Sequence, residues 1–105
     1  MGARTYNDRS LSIRDHAVAR FRERTGAHHM DREECRRLIG LAVRGARHRE
    51  YPHYVVGQTV VRVTILGVEV FAVIGRDLTG WSNSGRAVVT VLTEEQLDAS
   101  WKARS

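Results

Sequence analysis

Residues 59–66 and 68–74 read Thr-Val-Val-Arg-Val-Thr-Ile-Leu and Val-Glu-Val-Phe-Ala-Val-Ile, two β-branched runs parted by the single residue Gly67. Side chains that are branched at Cβ suit a pleated strand, and one glycine leaves room only for a tight turn. Residues 54–56 and 86–92 share this composition, and Gly57-Gln58 marks another turn. The second half of the chain is therefore expected to be three or four antiparallel strands. Along residues 60–65, Val61, Val63 and Ile65 alternate with Val60, Arg62 and Thr64, one apolar set and one mixed set. In 87–92 both alternating sets are apolar, so the second sheet face is expected to be less open than in a simple meander.

The first half follows a different period. Ala17, Val18 and Phe21 form an apolar side on a helix that opens at Ser12 or Asp15 and stops at Gly26. Asp31 with Glu34 three residues on has the spacing of a capping box, and Cys35, Leu38, Ile39 and Ala42 then follow at helical intervals to about Gly45. Thr93 with Gln96 has the same capping spacing and opens a short terminal helix carrying Leu97 and Trp101. Two helices, then strands, then a short helix describe an α+β domain, with the two N-terminal helices packed on one face of the sheet. Residues 1–11 are polar and are expected as a loose tail, leaving one domain over 12–105.

Charge narrows the function. Seventeen basic against twelve acidic residues give a net +5, and Lys102 is the only lysine. Arginine stays charged at any working pH and grips phosphate through two parallel hydrogen bonds, so a polyanion, RNA or DNA, is the expected partner. One cysteine, Cys35, cannot form an internal disulfide. With no charged-then-apolar opening and no apolar run near the ~18 residues that span a bilayer, the expected place is the cytoplasm, without a membrane partner. The five histidines lack the spacing of a zinc site, and no glycine-rich stretch continues into Gly-Lys-Ser/Thr, so neither a metal nor a cofactor is expected.

Within the first helix, His16, Arg20 and Arg24 fall at i, i+4 and i+8 and share one side, with Arg22 adding charge. An imidazole moves a proton near neutral pH, and guanidiniums hold an anion. Ribonucleases that need no metal use a base on the 2′-hydroxyl, an acid on the leaving 5′-oxygen and cations on the pentacoordinate phosphorus. His16, Arg20, Arg24 and Arg62 are the candidates for that chemistry. Arg22, His53, Tyr54, Arg76 and Arg86 are the candidates for holding the nucleic acid. Each has an ordinary alternative: a solvated helix face for the arginines of 20–24, packing beside Pro52 for Tyr54, and an ion pair with Asp77 for Arg76.

His16-Ala17, Arg20 and Glu23-Arg24-Thr25-Gly26, the acid-opened Asp31-Arg32-Glu33-Glu34, the Gly45-Ala46-Arg47 connection with Tyr51, and the late Val88-Val89-Thr90-Val91 form a recognisable set. Over residues 12–93 the chain resembles small bacterial and phage proteins of the barnase–colicin–RelE ribonuclease-like fold. The resemblance implies a helix pair on a four-stranded antiparallel sheet and cleavage of RNA, often on the ribosome. It places Thr90 beside His16 and Arg20. Toxins of the RelE type are typically lysine-rich at their sites, and this chain has no lysine before position 102.

Two functions stand at this point. One is a toxin-like endoribonuclease acting by 2′-hydroxyl transesterification, with an antitoxin as a further partner. The other is a non-catalytic module that binds nucleic acid or a host protein. A homodimer through an exposed strand edge or the terminal helix with Trp101 is a third form of interaction.

Overall fold

The computed structural model describes residues 11–52 and 56–98. Strand β1 (Ser12–Ile13) comes first, followed by helix α1 (Asp15–Thr25), helix α2 (Arg32–Ala46) and a short 3-10 turn, Arg47–Arg49. Strands β2 (Tyr51–Pro52), β3 (Thr59–Ile65), β4 (Val68–Arg76) and β5 (Arg86–Leu92) complete the sheet. The chain is helical again over residues 94–98, here α3. The protein is α+β, with the helix pair on one sheet face.

The sheet departs from expectation in size and sense. It has five strands in the order β1-β5-β4-β3-β2, and β1 runs parallel to β5 while every other pair is antiparallel. Ser12, expected as a cap, lies in β1, and α1 starts after Arg14 with no side-chain cap. Leu11, expected in the tail, is buried. A short strand is present at Tyr51–Pro52, ahead of the one expected over 54–56. Residues 53–55 lie outside the described residues, and Val56 sits in the turn before β3. Pro52 has no N–H to give a ladder, and an edge strand is where that costs least.

The helix ends follow local chemistry. The Asp31 carboxylate accepts the Glu34 N–H at 2.8 Å. Gly26 closes α1 at φ 73°, and its N–H reaches the Arg22 carbonyl. The β3–β4 turn is Leu66-Gly67 with φ of 54° and 77°, the left-handed pair that matches the twist of a two-residue hairpin. Thr93 and Gln96 cap α3 reciprocally: the Gln96 N–H donates to Thr93 Oγ1, and the Thr93 N–H donates to Gln96 Oε1.

Packing explains the double apolar pattern of the last strand. Helix α1 lies mainly on β5 and α2 on β3. Phe21, Val18, Ile39 and Val43 meet Val61, Val63, Val70, Ala72, Ile74, Val88 and Val91 in the main core. Ile74 pairs with Val88 but Val73 pairs with Thr90, so Val89 is an extra residue on β5. Such a bulge turns the strand and resets its alternation. Val88 and Val91 therefore both face the helices, while Val89 and Leu92 join Val60, Phe71, Val73 and Leu97 on the other face. The second face is covered at that point by Leu97 of α3.

Arg36 ties the layers together. Its guanidinium donates to the Ile13 carbonyl at 3.2 Å and pairs with Asp15 at 2.5 Å and Glu33 at 3.1 Å. β1 has only two residues, so this anchor is a large share of what holds it. Arg36→Ala is expected to lower stability by about 1 kcal/mol in a denaturant titration, because it strands the partly buried Ile13 carbonyl, whereas the exposed Asp15 and Glu33 carboxylates return to water. Arg32→Ala, an exposed site on the same helix, should change it by less than about 0.5 kcal/mol.

Candidate nucleic-acid interface

The end of the sheet where β4 leaves and β5 enters collects positive charge. Arg76 and Arg86 are direct partners across the β4–β5 ladder. Like charges set opposite each other in a sheet repel, so this pairing opposes folding. With Val56, Gly57, Gln58 and Gly85 they line an open depression of about 500 Å³. The Arg14 guanidinium donates to the Arg76 carbonyl at 3.1 Å, and the Arg14 N–H joins β1 to the Val88 carbonyl.

The carboxylate that reaches Arg86 among the described residues is Glu50. Glu50 accepts Arg47 Nε at 2.7 Å and the Thr59 hydroxyl at 2.6 Å, with Arg86 Nη2 at 3.8 Å. Arg86 also donates to Thr59 Oγ1 at 3.1 Å. Burial raises the proton affinity of Glu50, but the Thr59 and Arg47 hydrogen bonds and the charges of Arg47 and Arg86 outweigh it, so its carboxyl lies below the ordinary range. The Nε of Arg86 is buried with no hydrogen-bond partner among the described residues. The Arg76 side chain is exposed and has no acidic partner among them.

The ion pair expected between Arg76 and Asp77 is replaced by a different arrangement. Asp77 is buried and turned into its own loop, where its carboxylate accepts the Thr79 hydroxyl at 2.6 Å, the Thr79 N–H at 3.0 Å and the Ser82 N–H at 2.7 Å. The Thr79 hydroxyl and the Ser82 amide hold this carboxyl well below the usual carboxylate range. The Asp77 N–H closes the loop on the Gly85 carbonyl at 2.8 Å. The Asp77 charge is thus spent inside the loop, and Arg76 is left to solvent.

His16 stands exposed in the first turn of α1. With Arg14, Asp15, Leu78 and Thr79 it lines a second open depression of about 480 Å³, and Arg14 joins this one to the first through its bond to Arg76. The structure thus brings His16, Arg76 and Arg86 to one end.

Other candidates lie elsewhere. Arg20 and Arg24 share Glu23, at 2.7 and 3.3 Å. The hydrogen bond from Arg20 holds the Glu23 carboxyl below its ordinary value, so this helix side is an internal ion-pair net. Arg22 donates to the His28 carbonyl at 2.5 Å and braces the α1–α2 connection. Arg62 pairs with Glu69 at 3.1 Å. Its ladder partner is Phe71, of the smaller cluster, so Arg62 lies on the face away from the helices. Thr90 is opposite Val73 and faces the same way, with the sheet between it and α1. His53 and Tyr54 lie outside the described residues.

Arg14, Gln58, Leu78 and Thr79 belong to this end without having been singled out. The bracketing of residues 77–85 by Arg76 and Arg86 was the available signal, since strands that flank one loop pair at its base. No helix among the described residues is long and apolar enough to cross a membrane. Among those residues no group of three or more His, Cys, Asp or Glu side chains is placed to hold a metal. Comparison with protein-family models, curated proteins and solved structures finds no match to this chain.

Proposed function

We propose that this protein is a nucleic-acid-binding domain that holds backbone phosphate between Arg76 and Arg86. The observation that carries this reading is the placement of Arg76 and Arg86 as ladder partners lining one open depression, with the nearby Glu50 shared between Arg47 and Arg86. A phosphate between them would turn a repulsive pair into a bidentate site. The net charge of +5 supports the same partner. RNA is preferred over DNA in this reading on the strength of the sequence resemblance of residues 12–93 to RelE-like proteins alone, and the cytoplasm is the proposed place.

RNA cleavage is the second reading, and one observation favours it: His16 and Arg14 border the adjoining depression. The binding reading ranks first because Arg62 and Thr90 are across the sheet from His16, and Arg20 and Arg24 are engaged by Glu23.

The test follows a labelled single-stranded RNA in EDTA, with end-group analysis beside a binding titration across salt. The binding reading expects intact RNA and log K falling with log salt at a slope of about −0.7 or steeper, the value for the one phosphate held between the two arginines. Cyclic-phosphate ends from the wild type that disappear with His16→Ala would transfer the assignment to the ribonuclease. Salt-independent binding, or none, would remove the phosphate site.

A further inference from the structure

The short β2 leaves β3 uncovered beyond Val60 among the described residues, and a second basic site opens at this edge. Tyr51 pairs with Val60, which places its ring on the sheet face away from α1 and α2. There Arg49, Tyr51, Arg62 and Phe71 line a depression of about 280 Å³. Phe71 is its buried floor, whereas Tyr51 keeps 37% of its surface exposed and so offers a ring to solvent. Burial pushes the Tyr51 phenol above its ordinary pKa; Arg62 pulls it down and the charge of Asp98 adds to the rise, so the ring stays neutral under working conditions.

The two arginines are available to a ligand in different ways. Arg49 has no acidic partner among the described residues. Arg62 has Glu69, but the side chains are 67% and 43% exposed, and a pair so open to water contributes little that a phosphate could not replace. Both arginines also line the depression on the other side of the β3 edge, against Ala42, Gly45 and Ala46 of α2. They therefore flank the edge rather than point into one closed pocket.

A neutral ring in a depression lined also by two arginines suits a planar base joined to a phosphate, because the base stacks on the ring and the arginines take the charge. The space is small beside ordinary ligand pockets of ~300–1,000 Å³, as one base requires. We infer that Tyr51, Arg49 and Arg62 form a stacking site for one unpaired nucleotide, so that the nucleic acid this domain binds is single-stranded. The inference rests on the proposed nucleic-acid function and specifies its ligand. A base inside a duplex keeps both faces stacked and cannot lie on Tyr51.

The test is a fluorescence-anisotropy titration of the full chain against a labelled, unstructured ~12-nucleotide single-stranded RNA and the same strand annealed to its full complement, a length suited to one binding module. Tyr51→Leu is expected to weaken the single strand about tenfold and the duplex less than twofold, and Tyr51→Phe should stay within about twofold on both. Arg49→Gln, at an exposed site that folding does not use, should weaken the single strand about threefold. If Tyr51→Leu and Arg49→Gln both bind the single strand like the wild type while the Arg76→Ala/Arg86→Ala variant is weakened, the stacking site is wrong and the phosphate site stands. Equal loss on both probes with Tyr51→Leu would overturn the single-strand preference. A wild type that binds neither probe overturns the stacking site and the function beneath it.

Discussion

Replacing Arg76 and Arg86 together by alanine is expected to weaken single-stranded RNA binding by about 30-fold or more at moderate salt. Each guanidinium gives a charge-assisted contact worth about 1–1.5 kcal/mol net, and ~1.4 kcal/mol is a factor of ten. The salt slope should flatten by about 0.7 in the same titration, one phosphate contact fewer. The fold should survive, because Arg76 stabilises nothing with its side chain among the described residues, and Glu50 keeps Arg47 and Thr59. A sharper variant separates site from scaffold. Arg76→Glu places a carboxylate opposite Arg86. It should raise stability by a few tenths of a kcal/mol, up to ~1, while removing the phosphate site. A variant that melts higher and binds worse is the signature of a position kept for a ligand. Equal affinity in Arg76→Glu and wild type would assign the opposed arginines to chance.

The second large effect concerns the loop that joins those strands. Asp77→Ala removes the acceptor for three hydrogen bonds from Thr79 and Ser82. Bonds to a charged group contribute about 1.5–3 kcal/mol where they are buried, and partial re-solvation of an exposed loop reduces the sum, so a loss of about 2–3 kcal/mol is expected. Limited proteolysis should show new cuts within residues 78–84 before any global unfolding. The pH dependence has a definite sign. The folded carboxyl lies below its unfolded value, so its stabilisation is complete above the ordinary carboxylate range and fades as pH falls through the depressed value. The gap in melting temperature between wild type and Asp77→Asn should therefore be widest near neutrality and close in strong acid. Glu50, shifted in the same direction, adds to the acid sensitivity of this end.

Those features that depend on neighbours in sequence were readable in advance. The Asp31 cap, the Gly26 stop, the turn at Gly67 and the Thr93–Gln96 box each use residues within about four positions, and the chemistry is local. The Cys35–Leu38–Ile39–Ala42 stripe was readable in type but was turned slightly. Ile39 and Val43 carry the buried line, and Leu38 and Ala42 flank it half-buried. What escaped depends on distant partners. A two-residue strand such as Ser12–Ile13 has no period to detect, and its parallel pairing with Ala87 and Val88 is a tertiary event.

The bulge at Val89 shows the same limit in the last strand. Two apolar alternations in 87–92 were its symptom, but only the register with β4 identifies the extra residue. The positions of Thr90 and Arg62 on the face away from His16 belong to the same class of feature. The side on which Thr90 and Arg62 lie is decided by register, and a one-residue shift moves a side chain to the opposite face. Arg20 and Arg24 were readable as a charged helix side. Their joint use of Glu23 sits at spacings of three and one, close enough to have been anticipated. Arg14 could not be found, because its bond to the Arg76 carbonyl spans 62 residues.

The most direct test is an NMR titration that follows the Nε–Hε signals of the arginine side chains as a short single-stranded RNA is added. The phosphate-site account predicts that Arg76 and Arg86 shift first and most, with Arg14 following, while Arg20, Arg24 and Arg32 stay near their free positions. Shifts centred on Arg20 and Arg24, with Arg76 and Arg86 unmoved, would place the nucleic acid on the side of α1 and contradict it.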